Sequence, residues 1–210
     1  MIKVKIYDFD KTLAQGDSIM SLIEYAKSKK IASPIGIYWR LFLASLNFLL
    51  GFKIERFKSF AAWLVNKFSD EDLEKYVTWH LKTYGYQNLI DDIHEEGYTT
   101  ILCSASLERY VKIIARDLGF DYCIATHHDE KKVLGTNNAK EEKLIRLQAL
   151  FARENIEVDY ENSKAYTDSV KNDKWMCSPC KSKYVVNDRR SHDGFINIEG
   201  HRKKKNNLKD

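Results

Sequence analysis

Asp8 and Asp10 stand two residues apart, with Thr12 two further on, in the string DFDKTL. Residues at i and i+2 of an extended chain point to one side, so the two carboxylates share a site. One carboxylate can attack phosphorus to give an aspartyl-phosphate, and the second can exchange protons. Three later places carry matching chemistry. Ser104 and Ala105 in ILCSAS follow an apolar run at an expected helix start, where a hydroxyl and backbone N–H groups suit an anion. Lys140 in NAKEEKL adds a cation, with Lys143 as its competitor. Asp168 follows KAYT, and Asp173 comes five residues later, with Asn172 as the alternative one position earlier. Clustered carboxylates repel one another unless a cation joins them. Mg2+ suits such a set, because it takes one or two carboxylates together with phosphate oxygens. The reaction these residues point to is phosphoryl transfer to water.

The elements that must position these residues are legible in outline. Ile2, Val4 and Ile6 alternate with Lys3 and Lys5, which predicts a strand ending at Asp8. Residues 18–86 read as helices: one from Asp17-Ser18 to about Lys30, one from Ser33-Pro34 to about Leu50 with Gly51 as its stop, and one from Ile54 to about Lys67. A fourth begins where Ser69 and Asp72 form a capping box. Beyond about Asn88, strands at Tyr98–Cys103, Asp121–Thr126, Ser163–Thr167 and Tyr184–Asn187 alternate with helices at Leu107–Leu118, Lys140–Asn155 and Val170–Cys177. Residues 127–139 read as a polar hairpin. This alternation predicts an α/β fold with a parallel, Rossmann-like sheet. The expected core is 1–16 plus 87–200, with a helical insertion at 17–86. In such sheets ligands sit at the carboxyl ends of the strands, where the motifs above converge.

Composition narrows the class. The chain has 210 residues, 44% hydrophobic and 30% charged, too apolar for a disordered protein. The net charge is +4, and the last ten residues, His201 to Asp210, carry all of it. The body therefore has no nucleic-acid signature, and 201–210 reads as a basic, disordered tail. Four cysteines are too few for a disulfide scaffold. Cys177-Ser-Pro-Cys180 has no second CxxC and reads as a loop, not a zinc site. No secretory signal pattern opens the chain, so a cytoplasmic location is expected. The segment Ile35–Phe52 is the most apolar. It contains Arg40 and Asn47, which are costly in a membrane span. Two readings stay open for it: a buried helix of the insertion, or an amphipathic surface making peripheral contact with anionic lipid at the inner face of the membrane.

The four motifs together resemble those of the haloacid dehalogenase (HAD) superfamily of phosphatases. They are Asp-x-Asp-x-Thr at Asp8, Asp10 and Thr12, the apolar strand ending at Ser104, the lysine in NAKEEKL, and the acidic pair in YTDSVKND. The helical insertion after the first motif and the SAS string resemble subfamily IB, the phosphoserine-phosphatase-like branch, with an all-helical C1-type cap. The resemblance implies that Asp8 is the nucleophile and a Mg2+ ligand. It implies that Asp10 is the general acid/base and binds Mg2+ through its carbonyl, and that Asp168 and Asp173 complete the metal site. Thr12, Ser104, Ala105 and Lys140 would hold the phosphoryl group. Lys140 is favoured over Lys143 by the likeness of NAK to relatives. Lys11 and Thr167 depart from the family, standing where relatives often have Gly. Phosphoserine phosphatases place a Glu nine residues after the nucleophile to read the substrate amine. Asp17 occupies that place here, with helix N-capping as its other reading. Arg56 is a candidate for reading a carboxylate or second phosphate. The implied substrate is a small organic or lipid phosphate, and some relatives with apolar caps act on phosphatidylglycerophosphate. A non-catalytic phosphate-binding protein and a phosphotransferase are the alternatives.

Overall fold

The structure, a computed structural model, describes residues 1–49 and 54–202. Six parallel strands form one sheet: β1 (Val4–Tyr7), β2 (Thr99–Leu107), β3 (Tyr122–Thr126), β4 (Lys164–Thr167), β5 (Ser182–Val186) and β6 (Ile196–Ile198). Their order is β3-β2-β1-β4-β5-β6. The chain order reverses at β1, which has β2 on one side and β4 on the other. That reversal opens a crevice at the carboxyl end of β1, where Asp8 follows.

Four helices are inserted between β1 and the rest of the sheet: α1 (Ser18–Ser28), α2 (Pro34–Leu49), α3 (Ile54–Val65) and α4 (Asp70–Tyr84). They form a helical cap on a Rossmann-like core. Helices α5 (Gln87–Ile93), α6 (Glu108–Asp117), α7 (Glu141–Arg153) and α8 (Val170–Asp173) connect the strands. The caps read from the sequence are present: Asp17 Oδ1 accepts from Ile19 N at 3.0 Å, and Ser69 Oγ accepts from Asp72 N at 3.1 Å. The expected stop at Gly51 lies outside the described residues. Two elements escaped the sequence reading. Helix α5 is short and has no side-chain cap. Strand β6 is an edge strand of three residues, Ile196 and Asn197 of which are exposed, and its one alternation is too short to stand out in the sequence.

Apolar residues alternate with lysine in β1, and all four of its residues, Lys5 included, are buried. Parallel sheets are covered on both faces, so Lys5 had to be paired inside. Its Nζ lies 3.0 Å from Asp92 Oδ1 and 2.6 Å from Glu95 Oε2. One face of the sheet buries Val4, Ile6, Ile101 and Cys103 against Leu147 and Leu150 of α7, with Cys177 and Cys180 in the same cluster. The other face stacks Tyr7, Tyr166 and Tyr184 from three adjacent strands, with ring centroids 4.4 and 4.9 Å apart. The expected tail also differs at its start. Gln87 N donates to His201 O, and His201 N donates to Asn88 Oδ1, at 2.8 and 2.6 Å, so His201 is held against α5. Residues 203–210 lie outside the described residues.

The cap core contains a buried histidine. His80 Nδ1 lies 2.8 Å from Ser21 Oγ, and its Nε2 has no partner among the described residues. Burial lowers its pKa from 6.5 to about 4. The fold therefore holds the neutral ring, and its stability contribution is complete above pH 6.5 and is lost as pH falls toward 4. Between pH 7 and 5, urea unfolding should show the wild type losing about 2 kcal/mol more than His80→Gln. Parallel stability curves for the two proteins would contradict this.

Candidate active site

The end of β1 delivers Asp8 into the crevice, and its backbone N–H donates to Tyr166 O of β4 at 3.0 Å. Around it gather the carboxylates that follow β4. One oxygen each of Asp8, Asp168 and Asp173 lies within 4.8 Å of the others. Asp8 and Asp173 are almost fully buried, and so is Lys143, whose Nζ sits 2.7 Å from Asp8 Oδ1 and 2.7 Å from Asp173 Oδ1. Thr167 Oγ1 donates to Asp173 Oδ2 at 2.7 Å. Thr12 Oγ1 makes a longer bond, 3.4 Å, to Asp8 Oδ2.

One ammonium cannot neutralise three carboxylates, and Asp8 and Asp168 are both shifted upward. Burial pushes the Asp8 carboxyl up to about 7; Lys143 opposes that shift, while Asp173 and Asp168 add to it. Asp168 is pushed up to about 6 by burial and by Asp173, with Lys11 and Lys143 opposing. Burial alone would lower Lys143, but Asp8 and Asp173 reverse that and hold it above the usual lysine range. An all-oxygen trio carrying excess negative charge is a fitting donor set for a hard divalent cation. The trio can hold a metal ion.

Asp10 has different surroundings. Its Oδ1 accepts from Ser18 N at 2.6 Å, at the start of α1, and its Oδ2 accepts from Ser106 Oγ at 2.5 Å. Ser18 Oγ continues to Tyr110 OH at 2.8 Å. Burial and the nearby Asp17 raise the Asp10 pKa, while the bonds from Ser106 and Ser18 lower it; the net shift is upward. Its carboxylate is not part of the trio.

A pocket of about 520 Å3 opens over these groups, lined by Asp8, Asp10, Ala105, Lys143, Asp168 and Asp173 among others. Of the two candidate lysines, Lys143 and not Lys140 lies against the aspartates. Lys140 precedes α7 with φ 56°, outside helical geometry, and is exposed at the pocket rim. Helix α7 buries Lys143, Leu147 and Leu150 on one face, and that i, i+4, i+7 stripe was the available signal. Lys11 also has positive φ, 60°, at the place where relatives often carry Gly. Helix α6 begins at Glu108, within one residue of the expected Leu107, and β2 runs on to Leu107 with a register shift after Cys103, so Ser104 and Ala105 lie in the strand and not at the helix start. Ser104 is enclosed, its Oγ accepting from Ser106 N at 3.1 Å, and Ala105 forms the pocket wall. Asp173, and not Asn172, joins the trio, although Asn172 lines the pocket. Asp17 caps α1 and lines a separate pocket beside Tyr84. The Arg56 side chain lies outside the described residues.

Three participants were given no role from the sequence. Lys58 of α3 donates to Ala105 O and to Asn137 Oδ1, tying the cap to the pocket wall. Asn138 Nδ2 donates to Ser104 O at 2.8 Å and anchors the loop before α7. Ser106 holds Asp10.

The sequence matches the haloacid dehalogenase-like hydrolase family over residues 6–176. No curated protein matches it. Among solved structures, a protein of unknown function from Bordetella pertussis Tohama I is 20% identical, with a TM-score of 0.73, over 89% of this chain and 91% of that one. A phospho-aspartyl intermediate analogue of phosphoserine phosphatase is 20% identical, with a TM-score of 0.56, over 88% of this chain and 86% of that one. A substrate-bound phosphoserine phosphatase is 19% identical, with a TM-score of 0.57, over 89% and 86%.

The two lysines should separate in stability. Lys143→Met leaves buried carboxylates without their ammonium and should cost about 3 kcal/mol in urea unfolding at neutral pH. Lys140→Met should stay within about 0.5 kcal/mol of wild type. Equal losses would contradict the placement of Lys143.

Proposed function

The chain belongs to the haloacid dehalogenase-like hydrolases, and we propose that it is a Mg2+-dependent phosphatase that hydrolyses a phosphomonoester through an aspartyl-phosphate. The observation that carries this reading is the enclosure of Asp8 by Asp168, Asp173 and Lys143 at the floor of one pocket. Asp8, Asp168 and Asp173 would hold Mg2+, which when bound supplies positive charge to the phosphoryl oxygens. In the first step an Asp8 oxygen attacks phosphorus and the bond to the leaving oxygen breaks. Asp10, with its raised pKa, gives that oxygen a proton. In the second step Asp10 takes a proton from water, the water oxygen attacks phosphorus, and Asp8 is released with inorganic phosphate. Lys143 sits where its ammonium offsets charge on Asp8 and on the phosphoryl group. Lys140, Ala105 and Lys11 line the mouth and suit the outer phosphate oxygens. Ser104 and Thr12 act from behind, shaping the Ala105 wall and bonding Asp8.

The substrate is a small organic or lipid phosphate, and the likeness to phosphoserine phosphatase structures supports the small organic one. The test is phosphate release from a panel of phosphoserine, small sugar phosphates and phosphatidylglycerophosphate in mixed micelles. Release should need Mg2+ and stop with EDTA. Asp8→Asn should reduce it to background, and Asp10→Asn should slow it by about 10²- to 10⁴-fold. The wild type quenched during turnover should carry a hydroxylamine-labile phosphoryl group that Asp8→Asn lacks. Release that survives in Asp8→Asn or in EDTA would overturn the proposal. An added alcohol that captures the phosphoryl group would mark a phosphotransferase instead.

A further inference from the structure

Helix α2 turns six large apolar side chains outward: Ile35, Tyr38, Trp39, Phe42, Leu43 and Leu46 are between 40 and 81% exposed. They recur at i, i+3, i+4, i+7, i+8 and i+11, which places them on one face of the helix. The opposite face is satisfied, with Ile37 fully buried and Leu41 packed against the cap core. Trp39 and Phe42 stack on one another with centroids 5.9 Å apart. So large an apolar stripe on a soluble surface marks a contact site.

Charge decides what covers it. Between Glu24 and Glu55 the sequence has no Asp or Glu, and it has Lys27, Lys29, Lys30, Arg40 and Lys53. The whole chain is +4, the last ten residues carry +4 and residues 25–54 carry +5, which leaves −5 on everything else. Lys27, Lys29, Lys30 and Arg40 rim the stripe. Lys27 Nζ lies 2.6 Å from Tyr38 OH, Lys29 and Lys30 are exposed just before α2, and the Arg40 guanidinium lies over Trp63, 4.4 Å from its centroid. A second copy docked through the same face would set these cations against one another. The segment Lys203–Asp210 is no better, having Leu208 as its one apolar residue. Aromatic rings on one helix face with lysines at the edge match the interface of an anionic bilayer. At 16 residues α2 is about 24 Å long, and no helix among the described residues is long and apolar enough to cross a membrane. We propose that the exposed face of α2 docks the protein on an anionic lipid surface, with the helix lying in the plane of the interface. The proposal does not depend on the substrate.

Flotation with vesicles tests it. The protein should float with phosphatidylglycerol-rich vesicles and stay behind with phosphatidylcholine alone, and high salt should weaken binding. Trp39→Glu with Phe42→Glu should cut binding at least about tenfold. Lys29→Glu with Lys30→Glu, which leaves the stripe intact, should cut it by about tenfold. Both variants are checked by thermal melting, and a melt like that of wild type shows that lost binding is not lost folding. Three results would overturn the proposal: no flotation with either vesicle, equal flotation with both, or wild-type binding by the Trp39/Phe42 variant. So would a lipid-free dimer that Phe42→Glu dissociates, since a second copy would then cover the face. Binding is read without turnover, so its failure leaves the phosphatase reading untouched.

Discussion

Three carboxylates and one ammonium share the buried end of β1 and β4, and their charges do not balance. At an effective dielectric constant of about 20, two unit charges about 4 Å apart interact by about 4 kcal/mol. A typical hydrogen bond returns about 1 kcal/mol. The bonds from Thr12 and Thr167 therefore cannot offset the repulsion, and Lys143 offsets only part of it. A divalent cation closes the remainder, because three negative charges against one positive leave a deficit of two. The unbalanced cluster thus has the charge of a site able to hold a metal ion.

Asp8 and Asp10 are two residues apart but answer to different parts of the molecule. Asp8 is governed by the core, through Lys143 and the residues after β4. Asp10 is governed by the junction with the cap, because Ser18 at the first turn of α1 and Ser106 at the end of β2 hold its two oxygens. Adjacent carboxylates placed in separate environments can take separate roles. The arrangement also couples Asp10 to the cap. Any movement of α1 relative to β2 would alter the bonds that position Asp10.

The cap makes a second contact with the site through Lys58, which bonds Ala105 O and Asn137 Oδ1. Lys58 sits on α3, and α2 packs on α3. The apolar, cation-rimmed face of α2 is therefore one helix away from the pocket wall. A surface that fixes α2 would constrain the same element that reaches the pocket.

Much of this was legible from residue order. Asp8 and Asp10 after a strand, Asp168 and Asp173 after another, and the capping residues Asp17 and Ser69 are local patterns, and local patterns survive folding because period and capping are set within a few residues. The parallel α/β class followed from alternating elements for the same reason. What needed the tertiary structure was whatever depends on a partner distant in sequence. The burial and pairing of Lys5 could not be read locally, because its partners Asp92 and Glu95 lie far along the chain. Lys140 outranked Lys143 by likeness of motif, but a left-handed φ at Lys140 puts it outside the helix, and only the folded position of α7 aims Lys143 at Asp8. Ser106 and Asn138 stand inside the SAS and NAK strings and Lys58 outside every motif, yet the contacts of all three were not readable, because they arise where three separate segments meet at one pocket. The sequence by itself determined which chemistry the chain could support, since carboxylate spacing and strand ends are local. The tertiary structure decided which cation faces those carboxylates, because that choice rests on long-range packing and on a balance of charges that no single segment contains.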